Sequence, residues 1–381
     1  MRQSSRGEVD PFIVMDVMEA ARQAEAAGRH IIHMEVGQPG TGAPQAAKSA
    51  LITDMADPLG YTVGLGLPEL RARIARHYAD WYGVDLDPAR VVITSGASGA
   101  FLLAFSSLFD NDNRVGLGTP CYPSYRQILK AVGLTPIDIP TSLDQRFQPV
   151  PADVAAHSLD GLIVASPANP TGTMLDKGAL AALALACSDS GAALISDEIY
   201  HGIDYDVTPV SALQVTDDVY VVNSFSKYFS MTGWRVGWMI VPEDHVRRVE
   251  RLAQNMFICA PHAAQRLALH AMDCTDELEQ NKAVYAANRA LMIEGLKAAG
   301  LNRFAPPDGA FYVYVDVSDY TDDALAFAAE ILESAGVAVT PGLDFDAARG
   351  HHWLRFSYAR ATADIVEGLD RLNRFMQERR T

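Results

Sequence analysis

With 381 residues, 49% of them hydrophobic and 20% charged, the chain has the make-up of a folded protein large enough for two domains, which excludes a disordered polymer. Its 47 acidic and 31 basic residues leave a net charge of −16, which argues against a nucleic-acid partner, because phosphate backbones call for a basic surface. No apolar run is long enough to span a bilayer, and the four cysteines (Cys121, Cys187, Cys259 and Cys274) are scattered without metal-ligand spacing, as in a reducing compartment.

Residues 1–10 are polar and lack the apolar stretch of a secretory leader, so a cytoplasmic location is expected. Asp10-Pro11 predicts a helix start, with Asp10 as its cap and Pro11 in its first turn; Gly28 ends that helix after Ala27. Residues 31–36 predict a strand, stopped by Gly37-Gln38-Pro39-Gly40. A second helix starts near Pro44, and a glycine-rich loop carrying Tyr61 leads to another at Pro68.

From about residue 90, short apolar runs alternate with helical segments: 91–94, 114–117, 162–165, 193–196, 219–222 and 236–241. None alternates cleanly between polar and apolar, which is the pattern of strands buried on both faces. The expected architecture is α/β, a large domain with a mostly parallel sheet flanked by helices. A helical stretch over 276–299 then leads to two strands, 311–317 and 353–358, covered by helices near 322–334 and 362–377. These predict a smaller α+β domain built from both chain ends, with the N-terminal segment packed on it. The expected boundaries are 1–45 and 285–381 for that domain and 46–284 for the large one.

In such a sheet, ligands bind beyond the carboxyl ends of the strands. The residues able to do chemistry fall there: Ser95-Gly96 after the first run, Asn169 after the third, Asp197 after the fourth and Lys227 after the fifth. Ser95-Gly96-Ala97-Ser98-Gly99 opens a helix with small residues, which let backbone N–H groups approach an anion; the plain alternative is a small-residue turn. Asn169, in Asn169-Pro170-Thr171-Gly172, offers an amide donor within a turn. Asp197 needs a partner for a carboxylate at a strand end inside the fold, and Tyr200 lies three residues on; a helix-terminal Asp is the alternative. Ser224-Phe225-Ser226-Lys227 puts a lysine in a small, hydroxyl-lined setting, where a neutral amine that condenses with an aldehyde is more useful than a buried ammonium. Arg235 follows eight positions later as an anion clamp. A lysine Schiff base beside an anion clamp is what a pyridoxal phosphate site requires. Tyr122 is an aromatic able to stack on a ring, or a core aromatic. Arg355, between Leu354 and Phe356, needs an anionic partner, either a substrate carboxylate or an internal acid. Ile13, Val14 and Met15 are candidates for the pocket lining.

Together these motifs, with Gly233-Trp234-Arg235-Val236-Gly237 and Arg355-Phe356-Ser357-Tyr358-Ala359, resemble the class I/II aminotransferases, which are fold-type I pyridoxal phosphate enzymes, from Asp10 to about Arg360. The resemblance implies that Lys227 carries the cofactor, Asp197 pairs with its ring nitrogen, and Asn169 and Tyr200 with its ring hydroxyl. It implies that Ala97, Ser98, Ser224 and Arg235 hold the phosphate and that Tyr122 stacks on the ring. It implies that Gly37 and Arg355, with Asn169, bind the substrate. Tyr61 resembles the tyrosine that reaches the partner subunit's phosphate, implying a homodimer with shared sites. The implied reaction is ping-pong transfer of an amino group from an L-amino acid to a 2-oxo acid. Two departures stand out. Gly99 replaces a longer polar residue, and residues 255–262 hold no arginine, which points away from acidic side chains. A carbon–sulfur β-lyase of the same fold is the alternative. A transcription regulator with such a domain would need a basic DNA-binding module, which the composition does not supply.

Overall fold

The computed structural model describes residues 1–56 and 58–379. Seven strands form the main sheet: β2 (Val91–Thr94), β3 (Arg114–Thr119), β4 (Thr135–Pro140), β5 (Gly161–Ala165), β6 (Ala193–Asp197), β7 (Tyr220–Ser224) and β8 (Gly237–Ile240), the label β1 being kept for Ile32–His33. Their order is β2-β8-β7-β6-β5-β3-β4. Every pairing is parallel except those of β8, which runs antiparallel to both β7 and β2. All residues of β2, β7 and β8 are buried, which is why these runs read as continuous apolar stretches.

The helices in chain order are α1 (Ile13–Ala26), α2 (Gln45–Asp54), α3 (Pro68–Tyr82), α4 (Gly96–Leu108), α5 (Pro123–Ala131), α6 (Pro151–His157) and α7 (Lys177–Ser190), followed by α8 (Val246–Met256), α9 (His262–Ala271), α10 (Thr275–Ala298), α11 (Ala324–Ala335) and α12 (Thr362–Glu378). Helix α4 carries Ala100, Phe101, Leu103, Ala104 and Phe105, all buried, and packs against β7, β8 and α8. Each such fully buried large side chain contributes about 1.5–3 kcal/mol.

The C-terminal part forms a second sheet from β9 (Arg303–Phe304), β10 (Tyr312–Asp316), β12 (Thr340–Pro341) and β13 (Trp353–Ser357), in the order β12-β13-β10-β9. The short β1 pairs in parallel with β11 (Val337–Ala338), and α1 packs on β11 and β12. Among the described residues, no helix is long and apolar enough to cross a membrane.

Two local expectations fail, and one strand was not among those expected. Helix α1 starts at Ile13, and its N-cap position, Phe12, supplies no side-chain cap. Asp10 instead faces α5, where its carboxylate accepts from Lys130 Nζ at 2.8 Å and Gln127 Nε2 at 3.1 Å. The cap comes from a residue more than 300 positions away, as described below. The strand expected over 31–36 is only the two residues of β1. Strand β4 lies outside the expected runs; it carries Pro136 and Pro140, and at the sheet edge their missing N–H groups cost nothing.

Candidate active site

The carboxyl ends of β2, β5, β6 and β7 meet at one edge of the sheet. Because β8 is antiparallel, its first residue, Gly237, pairs with Ser224 and Thr94 at that same edge and brings Arg235 with it. These ends, with Gly37 from the N-terminal segment and Tyr312 and Arg355 from the second sheet, enclose a cavity of about 220 Å³.

Lys227 lines it. Its Nζ donates to Gly37 O at 2.6 Å and sits 5.5 Å from the centroid of the Tyr200 ring. Desolvation lowers the amine to about 8, helped by the charges of Arg355 and Arg235 and opposed by Asp197. Asp197 ends β6 fully inside the fold, and burial raises its carboxyl to about 6. One of its oxygens accepts from the Tyr125 hydroxyl, the other from Ile199 N–H at 3.0 Å. Among the described residues, no cation lies within ion-pair distance of Asp197. Its neighbour Glu198 is held elsewhere, accepting from Ala212 N–H at 2.7 Å and from Ser196 and Ser211.

At one end of the cavity, α4 begins without a side-chain cap, so N–H groups of its first turn remain free for an anion. Ala97 and Ser98 line the cavity there. Arg235, at φ 51°, lays its guanidinium against this turn; a Cβ on Gly96 would stand 2.6 Å from its Nη2. Gly96 itself has φ 72°, so both the space and the backbone require glycine. Arg235 spends one donor on Thr232 O at 3.0 Å and pairs with no carboxylate among the described residues.

Arg355 stands at the opposite end, between Tyr314 and Thr340 in the sheet register. It donates from Nη1 to Asn169 Oδ1 at 2.8 Å and from Nη2 to Glu35 O and Thr340 Oγ1, while its Nε is buried without a partner. Tyr312 and Phe345 flank its guanidinium at 4.5 and 4.7 Å. It too lacks a carboxylate among the described residues. With Asn169 Oδ1 engaged, the amide nitrogen is the group left to donate. Among the described residues, the cavity thus holds a buried arginine, Arg355, and an exposed one, Arg235, neither paired with an acid, and a buried acid, Asp197, without a base. That is the electrostatic imprint of a ligand with two anionic groups and a cationic or N–H-bearing ring.

Of the twelve residues that the resemblance assigns to the site, ten line one cavity: Gly37, Ala97, Ser98, Tyr122, Asn169, Asp197, Tyr200, Lys227, Arg235 and Arg355. Two do not. Ser224 is buried a layer behind, its hydroxyl bonded to Ser226 Oγ at 2.9 Å and to Val236 O, so Ser226 presents the hydroxyl. Tyr61 is 82% exposed and lines a separate depression with Ser95, Phe257 and His262. Tyr200 faces the cavity but its hydroxyl bonds that of Tyr312 at 2.7 Å. Val14 and Met15 line the cavity and Ile13 does not; Phe12, Met18 and Ile128 complete that apolar wall. The sequence reasoning missed Tyr125 and Tyr312. Tyr125 carried a usable signal, since it lies one helical turn after Tyr122, whereas Tyr312 reads as an ordinary strand aromatic.

The family model for aminotransferase class I and II matches residues 29–372. A valine–pyruvate aminotransferase of Mycobacterium tuberculosis is 45% identical, with 98% of each chain covered. Among solved structures, an aminotransferase from Mycobacterium tuberculosis superposes with a TM-score of 0.97 at 45% identity, covering 99% of this chain and all of that one. The aspartate aminotransferase of Thermus thermophilus with maleate superposes at 0.92 and 30% identity, covering 98% of this chain and all of the other.

Proposed function

This chain belongs to the class I and II aminotransferases, and we propose that its amino donor is an L-amino acid with a neutral aliphatic side chain and its acceptor a small 2-oxo acid. It is a pyridoxal phosphate-dependent enzyme that moves an amino group from an amino acid to a 2-oxo acid, and the relatives named above are all aminotransferases, so the lyase alternative has no support.

The observation that carries the donor class is the apolar wall. Phe12, Val14, Met15, Met18 and Ile128 face the cavity, and among the described residues its only lysine or arginine side chains are Lys227, Arg235 and Arg355. An acidic side chain would find no cation of its own subunit along that wall, and a neutral branched one would bury apolar area. The name of the Mycobacterium tuberculosis relative agrees with this reading. The test is a panel of L-amino acids against pyruvate and 2-oxoglutarate. Valine, alanine and their homologues should exceed aspartate and glutamate as donors by at least about tenfold in kcat/KM; preference for an acidic donor would overturn the reading.

The residues present fit the cofactor. The uncapped turn at Ala97 and Ser98, with Arg235 and the Ser226 hydroxyl that Ser224 backs, would hold its phosphate. Asp197, kept in orientation by Tyr125, would hold a proton on the ring nitrogen. Asn169 would donate to the ring hydroxyl, with Tyr200 beside it, and Tyr122 would cover the ring. Pyridoxal phosphate, when bound, supplies the aldehyde that takes up the amino group and the ring that spreads the electron pair left at the substrate Cα. The Nζ of Lys227 would attach the cofactor and, once displaced, move a proton at the substrate Cα as general base and acid. Arg355, beside Gly37 and Asn169, would clamp the substrate carboxylate through its fork. The apolar wall would exclude water while this happens. On this reading, Gly96→Ala should weaken pyridoxal phosphate binding by about tenfold or more, through a Cβ that displaces Arg235 and a strained φ. Titration of cofactor-free protein, followed by the rise in visible absorbance, measures it; an unchanged affinity would remove Arg235 from the phosphate site.

A homodimer is part of the proposal. The exposed Leu59, Tyr61, Val63, Met256 and Ile258 lie in or beside the loops around the second depression, next to Ser95 at the α4 terminus, which supports Tyr61 reaching a neighbouring site. The division into 1–45 with 285–381 and 46–284 is supported by the pairing of β1 with β11. A cytoplasmic location is supported by the four free cysteines.

A further inference from the structure

The first turn of α1 is capped from the other end of the chain. Asp344 Oδ1 accepts from Ile13 N–H at 2.9 Å and its Oδ2 accepts from Val14 N–H at 3.2 Å. The carboxylate is nearly buried, and Phe12 at the cap position offers no side-chain acceptor of its own. This turn and the next present Phe12, Val14, Met15 and Met18 to the active-site cavity. The segment that carries Asp344 also contacts Arg355. Four residues earlier, Thr340 Oγ1 accepts from Arg355 and donates to Glu35 O, and the Phe345 ring flanks the Arg355 guanidinium. One short stretch, residues 340–345, therefore fixes both the cationic clamp and the apolar wall. The second tether of the N-terminal segment, Asp10 to Lys130 and Gln127, is exposed and correspondingly weak.

We propose that Asp344 is a positioning residue for side-chain selectivity: by capping Ile13 and Val14 it sets the distance between the Phe12–Met18 wall and Arg355, and so the length of side chain the site accepts. The inference rests on the donor class proposed above and makes that class depend on a residue that does not line the cavity. A carboxylate suits this task because it accepts both N–H groups at once, where a Ser or Thr cap serves one. Arg355 and Asp16 are the charged groups whose fields reach it, of opposite sign.

The test compares Asp344→Ala, Asp344→Asn and, as control, Asp10→Ala in the holoenzyme. Single-turnover bleaching of the cofactor absorbance on adding valine or alanine reads the donor half-reaction without the acceptor. In Asp344→Ala the valine-to-alanine ratio of kcat/KM should fall about tenfold, mostly through KM for valine, as the wall loosens. Asp344→Asn, whose amide oxygen caps one N–H, should lower the ratio only about threefold, and Asp10→Ala should change it less than about twofold. An unchanged ratio in Asp344→Ala, or equal loss for both donors, would overturn the inference. If Asp344→Ala fails to fold, Asp344→Asn decides, with a drop of about threefold expected and an unchanged ratio fatal. Should the wild-type enzyme not favour valine-like donors, the donor class fails by itself. The role of Asp344 is then decided by the same ratio for the best donor with a side chain longer than alanine's.

Discussion

Lys227→Ala is expected to lower kcat by about 10⁴-fold or more, because it removes both the cofactor's attachment point and the base that moves the α-proton. Steady-state transamination measures the loss. Borohydride reduction of the wild-type holoenzyme followed by peptide mapping locates the cofactor, and label on a lysine other than Lys227 would sink the assignment. The environment of this amine adds a pH dependence. Burial and the charges of Arg355 and Arg235 hold it down to about 8, so in the cofactor-free protein it becomes a nucleophile as pH rises through that value. Capture of pyridoxal phosphate by the cofactor-free protein should therefore accelerate between about pH 7 and 8.5 and flatten above, where an ordinary lysine would keep accelerating to about pH 10.

Asp197→Asn should lower kcat by about 10²–10³-fold, since the ring nitrogen loses the anion that holds its proton. The same substitution should stabilise the cofactor-free protein. Burial raises the Asp197 carboxyl to about 6 in the folded state, against 3.8 for the free group. Between those values the folded chain keeps a proton that the unfolded chain has released, so stability from this group falls as pH rises through the window, and the cost is complete above about 6. It amounts to roughly 3 kcal/mol at neutral pH. Asn carries no charge to desolvate, so the cofactor-free variant should melt higher than the cofactor-free wild type at pH 7 and converge with it near pH 4. Addition of pyridoxal phosphate should reverse the order, because only wild type gains the charged pair. A variant that melts lower than wild type at pH 7 without cofactor would mean that the Tyr125 and Ile199 hydrogen bonds already offset the burial of Asp197.

Much of this molecule was legible without coordinates. The apolar runs 91–94, 162–165 and 193–196 lie within β2, β5 and β6, because a strand buried on both faces writes itself as continuous hydrophobicity. Pro68 opens α3, since its fixed φ and missing N–H suit a first helical turn. Spacing alone also placed Asn169, Asp197 and Lys227 after consecutive strands, because residues beyond the carboxyl ends of neighbouring parallel strands share one edge. Strand β4 escaped because its prolines are tolerated only at an edge, and whether a strand is an edge is a property of the sheet.

The local sequence, then, determined the elements and the identity of the groups that can do chemistry, since propensity, turn geometry and charge act over a few residues. The assembled fold alone decided three things. It set Ser226 in front of Ser224, it bound Tyr125 to Asp197, and it gave α1 its cap from Asp344. These contacts join residues on separate elements, or the two faces of one turn, and their partners are chosen by packing across the whole chain, which no short window of sequence encodes.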